Sequence, residues 1–259
     1  MTSARERYEL YERAAQSPER QARFLQALAP EARTLGEDGC GAGSLSIAWA
    51  SLSEAHRAVA VDLDSEPLEL LREKATRAGV GDRVDAIESD IRVASAPADL
   101  VALLNFSVGY FHERADLLAY LRNARRRLEE ARGVLVCDLY GGADAFALGS
   151  SELELRGGVR YEWEQREADP LTGRVVNAMH FERESGERLE DAFVYDWRLW
   201  GVPELRDAML EAGFAATDVY DRLGDAVLED GSVLAMPASG DEVDENFVVY
   251  VAARLGGTP

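Results

Sequence analysis

The sequence predicts an α/β fold: a doubly wound, mainly parallel sheet of seven strands carrying an antiparallel β insertion. Three observations predict it. A short apolar stretch runs through Leu35 into an acid, a glycine-rich loop from Gly39 to Gly43, and a helical run from Ser44 to Ala50. Apolar runs ending in polar residues then alternate with helical stretches as far as residue 140, the spacing of a parallel sheet with crossover helices. Between about 158 and 200 the period changes to two, which suits antiparallel strands.

In chain order, residues 5 to 29 read as helical, with Tyr8, Tyr11, Ala15, Phe24, Leu25 and Leu28 on apolar faces. Ser17-Pro18 marks a second helix start, because proline at the first helical position has no N–H to leave unpaired. Residues 1–30 therefore form an N-terminal helical cap. The run 57–62 ends in Asp62 and suits a buried parallel strand. Residues 65–78 form a helix with Pro67 in its first turn and Gly79 as its stop. Residues 83–88 and 99–104 are the third and fourth strands, 113–130 a helix, and 133–139 the fifth strand, broken by Gly141-Gly142. The stretches 159–167, 174–184 and 188–199 alternate as a meander, with turns at 170–173 and 185–187. Residues 203–211 are helical, and 214–220 and 247–253 form a last antiparallel pair around an acidic, loop-like stretch at 225–245.

Length and composition set bounds. A chain of 259 residues, 47% hydrophobic, suits one globular domain over 1–259 with an insertion at 158–200. No run reaches the roughly 18 apolar residues of a membrane span, and the charged start lacks a signal-peptide core. A cytoplasmic protein is expected. Two cysteines imply neither a disulfide framework nor a zinc site. A net charge of −20 repels phosphate backbones and anionic lipids, so neither nucleic acid nor membrane is an expected partner. The cluster Arg125–Arg127 is read as the last turn of a helix, where its dipole favours cations. A homodimer is allowed for.

The candidate site lies where four strand ends carry polar groups: Glu37 after the first, Asp62 with Leu63 and Asp64 after the second, Asp90 with Ile91 after the third, Asn105 with Phe106 after the fourth. Ligands of open α/β sheets bind at such carboxyl ends. Gly39, Gly41 and Gly43 let a ligand approach the backbone, and the helix after them points free N–H groups at the same spot. Cys40 is read as a small filler in the loop rather than a reactive thiol. Asp62 lies 23 residues after Gly39, where an acid can accept hydrogen bonds from ribose hydroxyls.

Glu37-x-Gly39-x-Gly41-x-Gly43 resembles the first motif of class I S-adenosylmethionine-dependent methyltransferases. Asp62 fits the family's ribose-binding acid and Asp90 the acid that contacts the adenine amine. The stretch 103–107 fits the region beneath the methionine part and the sulfonium. The chain also looks like a bacterial subgroup of undefined substrate, through Tyr11-Glu12-x-Ala-x-Gln16-Ser17-Pro18, Asn105-Phe106-Ser107 and Tyr195-Asp196-Trp197-Arg198-Leu199-Trp200. The resemblance implies a Rossmann-like fold, S-adenosylmethionine as cofactor with S-adenosylhomocysteine as product, and methyl transfer to an acceptor, here expected to be a small molecule. A non-catalytic cofactor-binding sensor or scaffold is the alternative.

Other chemistries lack their residues. A P-loop needs a lysine after its glycines, but Lys74 is the only lysine in the chain. No Tyr-x-x-x-Lys precedes Lys74, Gly-x-Gly-x-x-Gly fails at Ser44, and Gly-x-Ser-x-Gly is absent. Methyl transfer is an in-line displacement that needs alignment, exclusion of water and, for some acceptors, a base. Tyr110 and His112 follow Asn105 closely, and His112 is either a base near neutral pH or the plain start of a helix. His180 is a candidate on the meander, although a structural histidine is the favoured reading. Tyr8 and Tyr11 either close the cofactor mouth or pack. The stripe Tyr161, Trp163, Phe193, Tyr195 and Trp197 is expected to be partly core and partly acceptor wall, with Trp163 and Trp197 as substrate contacts. No metal cluster is apparent, so metal-independent transfer is expected.

Overall fold

A computed structural model describes residues 3–128, 133–221, 233–240 and 243–256. The chain opens with α1 (Ala4–Ala15) and α2 (Pro18–Leu28), followed by β1 (Thr34–Asp38), α3 (Ser44–Leu52), β2 (Arg57–Asp62), α4 (Ser65–Arg77), β3 (Val84–Glu88) and β4 (Leu100–Leu103). A short 3-10 turn at Ser107–Tyr110 leads to α5 (Arg114–Arg127) and β5 (Val134–Gly142). The inserted strands are β6 (Gly149–Leu155), β7 (Val159–Asp169), β8 (Arg174–Arg183) and β9 (Arg188–Arg198). The chain closes with α6 (Val202–Glu211), β10 (Ala216–Asp221) and β11 (Asn246–Arg254).

Local chemistry starts and stops these elements. Ser3 caps α1 by accepting from Glu6 N at 3.2 Å, and Asp64 caps α4 by accepting from Glu66 N at 3.0 Å. Pro18 opens α2, and Glu204 holds the start of α6 by accepting from Gly201 N at 2.9 Å. Asp99 ties the entry of β4 to that of β1, accepting from Arg33 N at 2.7 Å and Thr34 N at 2.8 Å.

The seven-stranded sheet has the order β10-β11-β5-β4-β1-β2-β3. Strands β5 to β3 in that order are parallel, while β10 and β11 run antiparallel. The chain winds outward from β1 through β2 to β3, then returns to the other side of β1 with β4. The glycine loop after β1 therefore stands at the switch point of the topology. One core, built on Phe24, Leu25, Trp49, Leu68 and Leu71, lies under α2, α3 and α4. Another, built on Leu117, Tyr120, Leu121, Leu205 and Met209, lies under α5 and α6.

The insertion is a separate antiparallel sheet, ordered β6-β7-β8-β9. Its inner face buries Val175, Met179, Phe181, Tyr195 and Trp197 against Leu10 of α1, with Phe106 and Tyr140 at the margin. It has one strand more than the sequence suggested and begins near residue 149 rather than 158. Strand β6 is an exposed edge whose only apolar alternates are Leu153, itself 55% exposed, and Leu155, too short a pattern to read as a strand. Strand β5 also runs through Gly141 and Gly142, which were expected to break it. A Cβ at Gly141 would lie 2.7 Å from Phe247 Cζ, so the glycine makes room for a ring on the paired strand. Helix α5 ends at Arg127, and residues 129–130 lie outside the described residues, as do 225–232 and 241–242 of the expected loop. Among the described residues, no helix is long and apolar enough to cross a membrane.

Candidate active site

A cavity of about 500 Å³ opens at the carboxyl ends of β1 to β4. Its cradle is made by Gly39–Ala42, Asp62–Asp64, Asp90–Arg92, Leu103 and Asn105; α1 contributes Tyr8, Tyr11, Glu12 and Gln16, and β9 contributes Phe193, Tyr195 and Trp197. The insertion thus folds back over the same mouth that the glycine loop lines.

The loop is held by its own backbone. Cys40 N donates to Val61 O at 3.0 Å, and Gly43 N to Cys40 O at 2.9 Å. Gly39, Gly41 and Gly43 all have positive φ (66°, 51° and 65°), the region that a side chain strains. Asp62 locks the loop from the neighbouring strand. One of its oxygens accepts from Gly41 N at 2.7 Å and the other from Asp64 N at 3.0 Å. Each oxygen keeps a second acceptor position for a ligand hydroxyl. Burial, reinforced by the Glu37 and Asp62 carboxylates, pushes the Cys40 thiol well up, so it stays protonated and acts as packing.

Asp90 is chelated by Arg92, whose Nη2 lies 2.6 Å away, and the same guanidinium reaches Asp116 at 3.1 Å. That bond to Arg92 holds the Asp90 carboxyl below its ordinary value. After β4, Asn105 and Phe106 adopt consecutive left-handed conformations (φ 58° and 60°), unusual for residues with side chains. Asp138 of β5 holds them there, accepting from Asn105 N at 3.0 Å and Phe106 N at 2.7 Å. Burial pushes the Asp138 carboxyl up to about 7 against the pull of those two bonds.

The opposite wall is a ladder of rings. Phe193 lies parallel to Tyr195 at 6.4 Å, and Tyr195 stacks on Trp197 at 4.4 Å. Tyr8 and Tyr11 close on Phe193 at 5.4 and 5.1 Å. Burial, with Asp64 and Asp62 beside Tyr8, raises the Tyr8 phenol, and burial raises that of Tyr11. Both remain O–H groups that donate and accept.

Comparison with known proteins bears on this geometry directly. Residues 37–131, which contain the glycine loop, Asp62, Asp90 and Asn105, match a family model described as a methyltransferase domain. That stretch of the chain is similar to a methyltransferase domain. Its structural relatives extend over nearly all of it. A methyltransferase from Clostridium acetobutylicum described as S-adenosylmethionine-dependent superposes with a TM-score of 0.73 at 18% identity, covering 96% of this chain and 98% of that one. CalS10 of Micromonospora echinaspora, an amino pentose methyltransferase, gives 0.67 at 17% identity, covering 95% and 96%. By sequence, the ribosomal protein L11 methyltransferase of Pectobacterium carotovorum is 34% identical over 124 residues, which is 48% of this chain and 41% of that protein.

Most sequence-predicted site residues meet at one cavity: Gly39, Cys40, Gly41, Asp62, Leu63, Asp90, Ile91, Asn105, Tyr110, Tyr8, Tyr11 and Trp197. Tyr110 stands 53% exposed at the rim, edge-on to Trp197 at 6.0 Å. Six others stand elsewhere. Glu37 is buried beneath the loop, accepting from Ser46 N at 2.8 Å and from the Ser46 hydroxyl. Gly43 faces α4, where a Cβ would meet Leu71 Cδ1 at 1.5 Å. Phe106 points back into the ring cluster, against Tyr140 at 5.0 Å. Trp163 stacks behind Tyr195 and Trp197, away from the lining.

Neither candidate histidine lines the cavity. His112 is tied to the insertion, its Nε2 lying 2.7 Å from the Asp196 carbonyl, where the ring nitrogen must donate. It does not line the cavity, which removes the geometric basis for a base role. His180 is buried against the charged face of the inserted sheet, with Nδ1 2.8 Å from Glu190 and Nε2 3.2 Å from Glu164. His180, Glu190 and Asp191 do bring three potential metal donors together, contrary to the expectation of no such cluster. Arg166 already pairs with Asp191 there, and the group lies outside the cavity lining.

Sequence reading missed Asp138, which hides in an apolar strand. It also passed over Glu12 and Gln16 as cavity residues, although Tyr8, Glu12 and Gln16 recur at i, i+4 and i+8 on one helical face.

Glu37 supplies a pH prediction. Burial raises its carboxyl from the ordinary 4.5 to about 7, against the opposing bonds from Ser46. The folded state then binds the proton more tightly than the unfolded chain, so the contribution is complete below 4.5 and lost as pH rises through about 7. The range corresponds to roughly 3 kcal/mol at most. Urea midpoints of wild type and Glu37→Gln should converge towards acid and separate towards pH 8, with wild type falling. Parallel pH curves would refute this.

Proposed function

We propose that this chain is an S-adenosylmethionine-dependent methyltransferase whose acceptor is a small molecule. The observation that supports the reading best is one cavity with two unlike walls. A cradle of glycine backbone and carboxylates stands on one side, and a ladder of aromatic rings with few polar groups stands on the other. The open space over Gly41, where a Cβ would meet only Tyr8 Cε1 at 3.6 Å, suits close approach of a ligand to backbone.

In this reading Asp62 holds the ribose hydroxyls, Asp90 and Ile91 the adenine, and Gly39, Gly41 and Asn105 the methionine part. The bound cofactor supplies a methyl group on a positively charged sulfur. The rings of Tyr110, Phe193, Tyr195 and Trp197 orient the acceptor and keep water from it, and aromatic faces near the sulfur favour its charge. A net charge of −20 and an enclosing wall favour a neutral or cationic small molecule over nucleic acid. CalS10, with its amino pentose acceptor, is a fold relative over nearly the full length. The relatives that act on ribosomal protein L11 share less than half their length with this chain. A cytoplasmic setting belongs to the same reading.

The experiment is release of adenosylhomocysteine, followed with panels of small amines, phenols and sugars and, separately, with ribosomal protein. Methyl label entering protein would replace the acceptor assignment. Tight cofactor binding with no product from any acceptor would return the chain to a sensor or scaffold. Two variants sharpen it. Asp62→Ala should weaken adenosylhomocysteine binding by roughly 1–3 kcal/mol, the scale of losing hydrogen bonds to a charged group; unchanged calorimetric affinity would remove Asp62 from the site. Phe193→Ala should lower kcat/KM for the acceptor about tenfold while leaving cofactor affinity within about twofold. Equal losses in both would place Phe193 in the cofactor half.

A further inference from the structure

Gln16 ends α1, and its side chain lines the cavity together with Gly41 and Ala42. Its Oε1 atom is buried and has no hydrogen-bond partner. Buried acceptors are almost always paired, so this oxygen calls for a donor. One helical turn earlier, Glu12 also lines the cavity, and one of its oxygens is held by Lys74. Lys74 is anchored in turn by the Ser44 hydroxyl at 2.8 Å, at the start of α3. A carboxylate and an unpaired amide oxygen thus stand on adjacent turns of one helix face, beside the glycine loop.

Their place along the cavity decides what they meet. The sheet order runs β4-β1-β2-β3 across the mouth. Asp90 and Ile91 follow β3, Asp62 follows β2, and the glycine loop follows β1. With adenine at the first and ribose at the second, the stretch beside the loop receives the amino-acid tail. That tail carries an ammonium, which has three donors and no acceptor.

We propose that the Gln16 amide oxygen and the Glu12 carboxylate together receive the α-ammonium of the cofactor's amino-acid tail, with Lys74 anchoring the carboxylate from behind. The assignment rests on the methyltransferase reading above. It gives a task to Tyr11-Glu12-x-Ala-x-Gln16, a sequence pattern that the catalytic reading leaves unused. Tyr8 and Tyr11 on the same helix close the ring wall, so α1 serves both halves of the cavity.

Calorimetry with the full chain tests it, using adenosylhomocysteine and 5′-methylthioadenosine, which keeps the adenine, ribose and sulfur and lacks the amino-acid tail. Wild type should prefer adenosylhomocysteine. Gln16→Leu, which keeps the volume, should weaken adenosylhomocysteine binding about tenfold, the loss of one charge-assisted bond, and leave methylthioadenosine within about twofold. Gln16→Ala should reproduce the pattern and guards against a steric artefact of leucine. Gln16 sits between the exposed Ala15 and Ser17 at a helix end, so both variants should fold. A preference unchanged in both variants, or a loss shared equally by both compounds, overturns the assignment. A wild-type chain that binds neither compound overturns the methyltransferase reading itself.

Discussion

Asp138→Ala should cost roughly 2–5 kcal/mol of stability and weaken cofactor binding at the same time. The carboxylate accepts from both N–H groups of Asn105 and Phe106, and each buried donor left unpaired costs about 1–3 kcal/mol. Those two residues also hold left-handed backbone, at about 1–2 kcal/mol apiece for a residue with a side chain. Without the clamp the turn has a reason to relax. Relaxation would withdraw Asn105 from the cavity and Phe106 from its edge contact with Trp197 at 6.0 Å. Asp138→Asn keeps one acceptor oxygen but turns an NH2 towards a backbone donor, so an intermediate loss is expected. Urea denaturation and adenosylhomocysteine titration should move together across the two variants. An unchanged midpoint in Asp138→Ala would show that the turn needs no clamp.

Arg127→Leu should be as severe, at about 3–5 kcal/mol, because it strands a buried carboxylate. Arg127 and Asp38 form an ion pair at 2.8 Å with side chains only 2% and 0% exposed. Tyr120 donates to the same carboxylate at 3.1 Å, and Arg127 Nε donates to Ala96 O at 3.0 Å. Burial raises the Asp38 carboxyl, and Arg127 is the main force opposing it. The pair stands at the end of β1, one residue before Gly39, so the glycine loop should lose order along with the strand. Arg127→Leu combined with Asp38→Leu should recover most of the stability, since a charge pair replaced as a unit leaves nothing unpaired. Losses that simply add in the double variant would mean that the two groups do not depend on each other.

The same pair shows where sequence reading reached its limit. Arg125, Arg126 and Arg127 looked like one solvated helix end, yet Arg125 donates to Gly213 O, Arg126 to Asn123, and Arg127 enters the core. Composition cannot tell which arginine of three turns inward. The parallel strands were legible because each is an apolar run ending in a polar residue, and Asp62, Asp90 and Asn105 occupy equivalent places after them. Strand β6 was not, because an exposed edge strand needs no apolar face. Asp138 was hidden because its neighbours Cys137 and Leu139 are apolar and its partners lie on another strand end. The surroundings of the histidines were not legible for a related reason. Residue type suggests a chemistry, but the register of β8 and the bond from His112 to Asp196 decide which surface each ring meets.

The cavity is closed by two sheets that hold their residues by different means. In the seven-stranded sheet the key acids are fixed by backbone bonds, Asp62 to the glycine loop and Asp138 to the turn after β4. Moving either residue disturbs the main chain itself. On β9 the rings are held mostly by stacking on one another, and one ring can replace another without breaking a ladder bond. The molecule resembles a vice with one fixed jaw and one whose facing can be changed. Variation accepted over generations should therefore gather on the inner residues of β9, while the fixed jaw stays still. A lineage could trade one acceptor for another this way and keep its methyl donor throughout.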